Sequence, residues 1–134
     1  MNLDLKNNVS TVPSILPIAA TANATGVAVA LAGFESAVAN LTATTASVGG
    51  TVKLTECATV DGTYTDVAVL DTIVTAGKTY VLTTGIAIVE DATVSIGYIG
   101  VLGFIKVVFI HSADGVVSGD VVLGHPHLSP VRTN

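Results

Sequence analysis

The sequence predicts an all-β fold: a single antiparallel β-sandwich or barrel, with jelly-roll winding favoured, carrying an extended N-terminal arm and a C-terminal tail. Three observations predict it. Half of the residues are hydrophobic but only 4% are aromatic; the apolar mass is Val, Ala, Ile and Leu, with Thr heavily used beside them, and β-branched side chains fit a pleated surface better than a helix. Turn signals recur at intervals of roughly 8–12 residues, the rhythm of short antiparallel strands. No helix-length stretch shows a capped 3.6-residue pattern; the nearest, Gly33 to Leu41, carries β-leaning residues and no start signal. The 134 residues fit one domain able to bury a real core, with no dividing linker and no internal repeat.

Residues 1–25 read as the arm. Pro13 and Pro17 lack backbone donors and fix φ, which disfavours a helix interior and a central strand. Between them Ser14-Ile15-Leu16 is extended and apolar, and must be covered by its own domain or by a neighbour. The β domain spans 26–124. Val27 to Ala32 is a short apolar run ending at Gly33. Glu35 to Ala43 alternates, with Ala37, Ala39 and Leu41 on one face and Ser36, Asn40 and Thr42 on the other. Ser47-Val48-Gly49-Gly50 is a turn. Thr51 to Ala58 places Val52 and Leu54 among the polar Lys53 and Glu56. Asp61-Gly62 is a hairpin signal joining that strand to Tyr64–Val69. Gly77-Lys78 and Thr84-Gly85 bracket a strand at Thr79–Thr83. Ile86 to Val89 and Thr93 to Ile99 follow. Gly103 to Ser112 is the strongest strand, and Asp114-Gly115 a second hairpin turn leading to Val116–Leu123. Residues 125–134, around Pro126 and Pro130, are the extended tail.

Composition excludes several functions. Charged residues make up 11% against roughly 25% for an average domain, so a free monomer would be prone to association and part of the surface is expected to be covered by other subunits. The formal net charge is −5, and Lys6, Lys53, Lys78, Lys106 and Arg132 are scattered. Nucleic acid, which needs clustered cations, is therefore not an expected partner, and neither is an anionic membrane surface. The mean hydropathy of +0.73 would suit a membrane protein, but no window approaches about 18 uninterrupted apolar residues. The N-terminus lacks the basic-then-apolar pattern of a secretory signal, so the sequons at Asn8, Asn23 and Asn40 read as coincidence. Cys57 stands alone, with no intramolecular disulfide, and reads as a small buried or half-buried apolar residue.

No catalytic apparatus is legible. There is no Gly-x-Ser-x-Gly elbow, Walker loop or dinucleotide fingerprint; Gly97, Gly100 and Gly103 mimic the last spacing without a following helix, and read as a bulge or close strand crossing. His125 and His127 face the same way on an extended chain, but a zinc site needs further ligands from His111, Cys57 or a carboxylate; they read instead as a rigid polar turn. Glu90-Asp91, Asp61, Asp66 and Asp71 read as solvated turn acids rather than calcium ligands. The six aromatics, Phe34, Tyr64, Tyr80, Tyr98, Phe104 and Phe109, are spread as core pegs, not as a stacking platform. The expectation is a binding or structural protein, not an enzyme, with no cofactor, no metal and no small-molecule substrate.

The stretch from Leu54 to Val67, Leu54-Thr55-Glu56-Cys57-Ala58-Thr59-Val60-Asp61-Gly62-Thr63-Tyr64-Thr65-Asp66-Val67, resembles the L-x-E-S-x-D-G-T-x-Y/W-T-D-V segment of small head-region structural proteins of tailed bacteriophages. Ile96-Gly97-Tyr98-Ile99-Gly100 resembles their x-G-Y-I-G. The close, Val122-Leu123-Gly124-His125-Pro126-His127-Leu128-Ser129-Pro130-Val131, resembles their L-G-H-P-R-H-x-P-V. With the Pro13/Pro17 arm and Gly33-Phe34-Glu35-Ser36-Ala37, the likeness covers most of the chain in order, with Cys57 standing where Ser is usual. The resemblance implies a capsid decoration or cement protein. Its partner would be the major capsid protein, its assembly a homotrimer, and its place the capsid surface of the virion after synthesis in the host cytoplasm. Ile15, Leu16 and Pro17 of the arm and His125, Pro126, His127 and Val131 of the tail are the expected contacts. Another virion part (head fibre, spike base or tail component) is an alternative, as is a carbohydrate-binding attachment module, which would want exposed aromatics or a calcium site.

Overall fold

The computed structural model describes residues 8–44, 50–88 and 92–126. The fold is all-β and antiparallel, two sheets packed face to face as a sandwich. Its strands are β1 (Val9–Ala20), β2 (Ala24–Thr25), β3 (Val29–Ala30), β4 (Phe34–Ala43), β5 (Thr51–Cys57), β6 (Thr65–Asp66), β7 (Thr72–Val74), β8 (Ile86–Ala87), β9 (Ala92–Tyr98), β10 (Phe104–Ile110) and β11 (Gly115–Pro126). The first sheet runs β1-β11-β4-β9-β7; the second runs β2-β10-β5-β6, with β3 also on β10 and β8 also on β5. The chain passes back and forth between the sheets along its length.

Alternation places the core between them. β4 turns Ala37, Ala39, Leu41 and Ala43 inward, and β11 turns Val117, Val121 and Leu123 the same way. From the second sheet Ile105, Val107 and Phe109 of β10 and Val52 and Leu54 of β5 meet them, all fully buried. Outward, the polar side chains of β4 pair across the first sheet: Thr42 with Thr93 at 2.9 Å and Asn40 with Ser95 at 2.7 Å. This is the period-2 pattern of a sheet with one face in the core and one in water.

The segment read as an arm is extended, and it lies along its own domain. Residues 9–20 pair with β11 from Val9↔Gly124 to Ala20↔Gly115, so no boundary separates them from the rest of the fold. The prolines are accommodated because β1 is an edge strand, where a missing donor costs least. The ladder slips between Pro13 and Ile15 and again between Ile15 and Ile18. The expected tail boundary moves too, since His125 and Pro126 close β11; His127 and Val131 lie outside the described residues.

Of the two Asp-Gly hairpin turns read from sequence, the first joins paired antiparallel strands as expected and the second does not. Asp61-Gly62 does lie between paired strands, Glu56↔Thr65 and Thr55↔Asp66, but in a longer loop where the Gly62 N–H donates to the Thr59 carbonyl at 3.3 Å. Gly62 has no positive φ. It is needed for space, because a Cβ there would sit 2.4 Å from Cys57 Sγ. Asp114-Gly115 joins β10 to β11, which lie in different sheets; it is a corner between layers, pinned by the 2.8 Å contact of His111 Nε2 with Asp114.

Elsewhere the strand expected at Tyr64–Val69 shrinks to β6 and is followed by a 3-10 turn at Val69–Asp71 and the short β7, which sequence did not suggest. Thr79–Thr83 is not a strand; it makes a tight turn closed by the Val81–Gly85 pair. Tyr80, just before that turn, is buried, its hydroxyl accepting the Leu54 N–H at 3.2 Å. Tyr98 and Phe109 are also core pegs, whereas Phe34, Tyr64 and Phe104 are only half-buried. The turn at Ser47–Gly49 and the acids Glu90 and Asp91 lie outside the described residues.

Candidate interaction surface

One end of the sandwich brings together the end of β5, the end of β9 and the segments around Ser36 and His125. β5 alternates Val52 and Leu54 inward, and the same parity turns Glu56 toward the opposite sheet. There it meets Tyr98, the last residue of β9, whose hydroxyl donates to Glu56 Oε2 at 2.5 Å and accepts the Leu102 N–H at 3.1 Å. Burial, then the hydrogen bond to Glu56, pushes the Tyr98 hydroxyl well above its ordinary pKa. Gly100 lies so close that a Cβ would sit 2.4 Å from Tyr98 Oη, so close approach, not a bulge, explains this glycine. Nearby, Ser36 of β4 and His125 of β11 hold each other, Oγ to Nδ1, at 2.9 Å. Between the 31–37 and 98–103 segments lies an open groove of about 370 Å³.

An apolar ledge runs beside this groove, along the β7 edge of the first sheet. The Ile99 N–H donates to the Asp71 carbonyl at 2.9 Å, holding the two segments side by side. Leu70, 87% exposed, projects from the 3-10 turn, and Val101, 96% exposed, follows Ile99. Ile73 is exposed over its cross-strand partner Gly97, and with Val38 and Ile99 it rims a shallow depression of about 400 Å³. Isolated surface apolar residues are ordinary; here Val38, Ile73 and Ile99 share one depression, and a contiguous apolar set is what contact surfaces are made of.

The contacts expected from sequence are partly dispersed. Ile15 is 5% exposed and belongs to the core, so it is not a surface contact: the slip after Pro13 turns it inward beside Gly119. Leu16 is 67% exposed and Pro17 is exposed. They lie near the Val117 end of β11, whereas His125 and Pro126 lie at its other end, roughly 25 Å away at about 3.3 Å per residue. The structure therefore does not bring Leu16 and Pro17 together with His125 and Pro126.

Sequence reading missed the Glu56–Tyr98 pair and the ledge. A carboxylate at an inward-facing position of β5 was a usable signal. The ledge had none, because which apolar residues stay uncovered depends on sheet order.

Two of the lysines have local partners. Lys53 pairs with Asp66 at 2.6 Å, and Lys106 lies 3.9 Å over the Tyr64 ring; both fasten the β5–β6 connection to the outer face of the second sheet. Among the described residues no three metal-ligating side chains come together. No family model matches the chain, and no curated protein matches it.

Proposed function

We propose that this chain is a virion structural protein, a capsid decoration or cement protein of a tailed bacteriophage that binds the outer shell and stabilises it as a homotrimer. The observation that carries the reading is the uncovered apolar ledge of Leu70, Ile73, Ile99 and Val101 on a chain with ten acidic and five basic residues. A surface so poor in charge and so apolar along one edge suits a protein whose working state is an assembly. The winding supports it. The chain crosses repeatedly between sheets of order β1-β11-β4-β9 and β2-β10-β5-β6, with β2 and β3, and β5 and β6, staying in the second sheet; we read this as a jelly roll, an architecture found in viral capsid domains and also in lectins. Fold alone does not assign function; the sequence motifs that resemble phage head proteins add to the reading.

The mechanism would be linkage. A ligand that binds the assembled shell and not its dissociated subunits stabilises the shell by mass action, and a trimer spanning three capsid subunits adds avidity to weak single contacts. The test is to add the purified chain to shells assembled from the major capsid protein alone. Saturable co-sedimentation, density at three-fold positions in electron microscopy, and a solution mass three times that of one chain are expected. Absence of saturable attachment overturns the reading.

A further inference from the structure

We propose that the free edge of β7 takes up an extended apolar segment of the shell protein, carrying a basic residue beside Asp71, as an added strand of the first sheet. This deepens the shell-binding reading above, on which the source of the segment rests.

The two edges of the first sheet are built differently. β1, at one edge, carries Pro13 and Pro17, and its ladder slips between Pro13 and Ile15 and between Ile15 and Ile18. Proline and irregularity are the usual guards against unwanted strand pairing. β7, at the other edge, is Thr72-Ile73-Val74, uncharged, free of proline and β-branched throughout, which suits pairing. Among the described residues no strand lies beyond it.

Register shows which main-chain groups that edge offers. The Ile99 N–H donates to the Asp71 carbonyl at 2.9 Å, and Ile73 lies opposite Gly97. In an antiparallel ladder alternate residues turn their main-chain groups to the partner, so Ile73 faces β9 while Thr72 and Val74 face away. The Thr72 N–H is taken up by the Val69 carbonyl. The Thr72 carbonyl and both main-chain groups of Val74 therefore point out of the sheet's edge.

An edge so short does not hold a partner by backbone alone, and side chains supply the rest. Ile73 is 58% exposed, with Leu70 and Ile99 exposed beside it; an added strand lays alternate side chains over such residues. Charge selects the segment. Asp71 immediately precedes β7 and lies close enough to Tyr98 to help raise its hydroxyl pKa, and Glu56 is bonded to that hydroxyl. Two carboxylates at the start of an apolar edge favour a segment that brings a cation. Lys78 lies past the other end of β7, its N–H on the Thr75 carbonyl, so the cation belongs at the Asp71 end. A second copy's β7 is the poorer occupant. A strand paired with its own copy makes a two-fold contact that closes at two chains, not the three of the proposed assembly, and joins chains that each carry a net charge of −5.

The test uses the full chain and a short capped peptide of alternating valine and threonine with a lysine at each end; a glutamate-ended copy is the control. Saturable binding of the lysine peptide is expected. The added strand ties up the Val74 N–H, so exchange of that amide should slow at least about tenfold, and the glutamate peptide should bind at least about tenfold more weakly. Val74→Pro removes the outward N–H, which an edge strand tolerates, and should abolish binding. Ile73→Lys, at an exposed site, should do the same, and decides the matter if the proline variant does not fold. The inference is overturned by absence of saturable binding, by equal binding of the two peptides, or by unchanged Val74 exchange. A chain that doubles its mass in solution with that amide already protected overturns it in favour of a second copy. Co-sedimentation with shells separates the two readings: peptide binding by a chain that ignores shells overturns the shell reading and leaves the edge standing, whereas parental attachment by Ile73→Lys overturns the edge as the site of the shell segment.

Discussion

The Ser14 hydroxyl, on the edge strand of the first sheet, accepts the backbone N–H of Val107, in the middle of the second, at 3.2 Å. The same hydroxyl donates to the Val27 carbonyl at 2.9 Å, the Val27 N–H donates to the Ser14 carbonyl at 2.8 Å, and the Gly26 N–H donates to the Val107 carbonyl at 2.8 Å. Ser14 is free to do this because the β1–β11 ladder slips at this point. The proline that breaks the edge strand thus releases a polar residue that stitches the two layers together.

Ser14→Ala leaves the Val107 N–H and the Val27 carbonyl without that partner in a buried place. The expected loss is about 1–3 kcal/mol, the cost of an unsatisfied buried polar group, read as a lower midpoint in urea at unchanged slope. A midpoint unchanged from the parent would mean that water replaces the hydroxyl there.

Deleting residues 1–20 should unfold the domain. A detachable arm would tolerate the cut, but β1 pairs with β11 from Gly115 to Gly124 and contributes Ile15 and Ala20 to the core. Loss of the dispersed amide spectrum is expected. A truncated chain that keeps native dispersion would show that β1 is dispensable to the fold.

Alkaline pH should destabilise the protein through its buried tyrosines. Burial raises the hydroxyl pKa of Tyr80 and of Tyr98 above the ordinary value near 10. Above about pH 10 the unfolded chain releases these protons while the folded chain keeps them, so the unfolded state binds fewer protons and stability falls as pH rises. Below that pH the contribution is fully present. Tyr98→Phe should flatten the decline between about pH 10 and 12, measured by denaturant titration at each pH; an identical slope in the variant would assign the decline to other groups.

How much of this was legible in the sequence follows from the range of each signal. Alternation is local, and it placed Ala37, Ala39 and Leu41 inward and Ser36, Asn40 and Thr42 outward, as the structure has them. Turn residues are local too, but they do not say which sheet the next strand joins. Asp114-Gly115 looked like a hairpin and is a corner between layers. Prolines 13 and 17 argued against a central strand, which holds, yet they could not say that the segment would find an edge of its own domain. Tyr98 and Glu56 are 42 residues apart, and only the sheet order brings them into contact.

The ledge makes the last prediction. Leu70 is 87% exposed and its backbone belongs to a 3-10 turn with no buried residue, so Leu70→Asp should alter stability by no more than about 0.5 kcal/mol, as surface substitutions do. In an assembly the same change would place an unpaired carboxylate against an apolar partner, a cost of several kcal/mol unless it finds a counter-charge. Paired measurements separate the two roles. A thermal midpoint close to the parent's, together with at least a tenfold loss of shell attachment in co-sedimentation, about 1.4 kcal/mol, is expected if the ledge faces the shell. Attachment at parental strength by a normally folded Leu70→Asp chain would remove the ledge from the contact and leave the opposite end, around Leu16 and Pro17, as the surface to test.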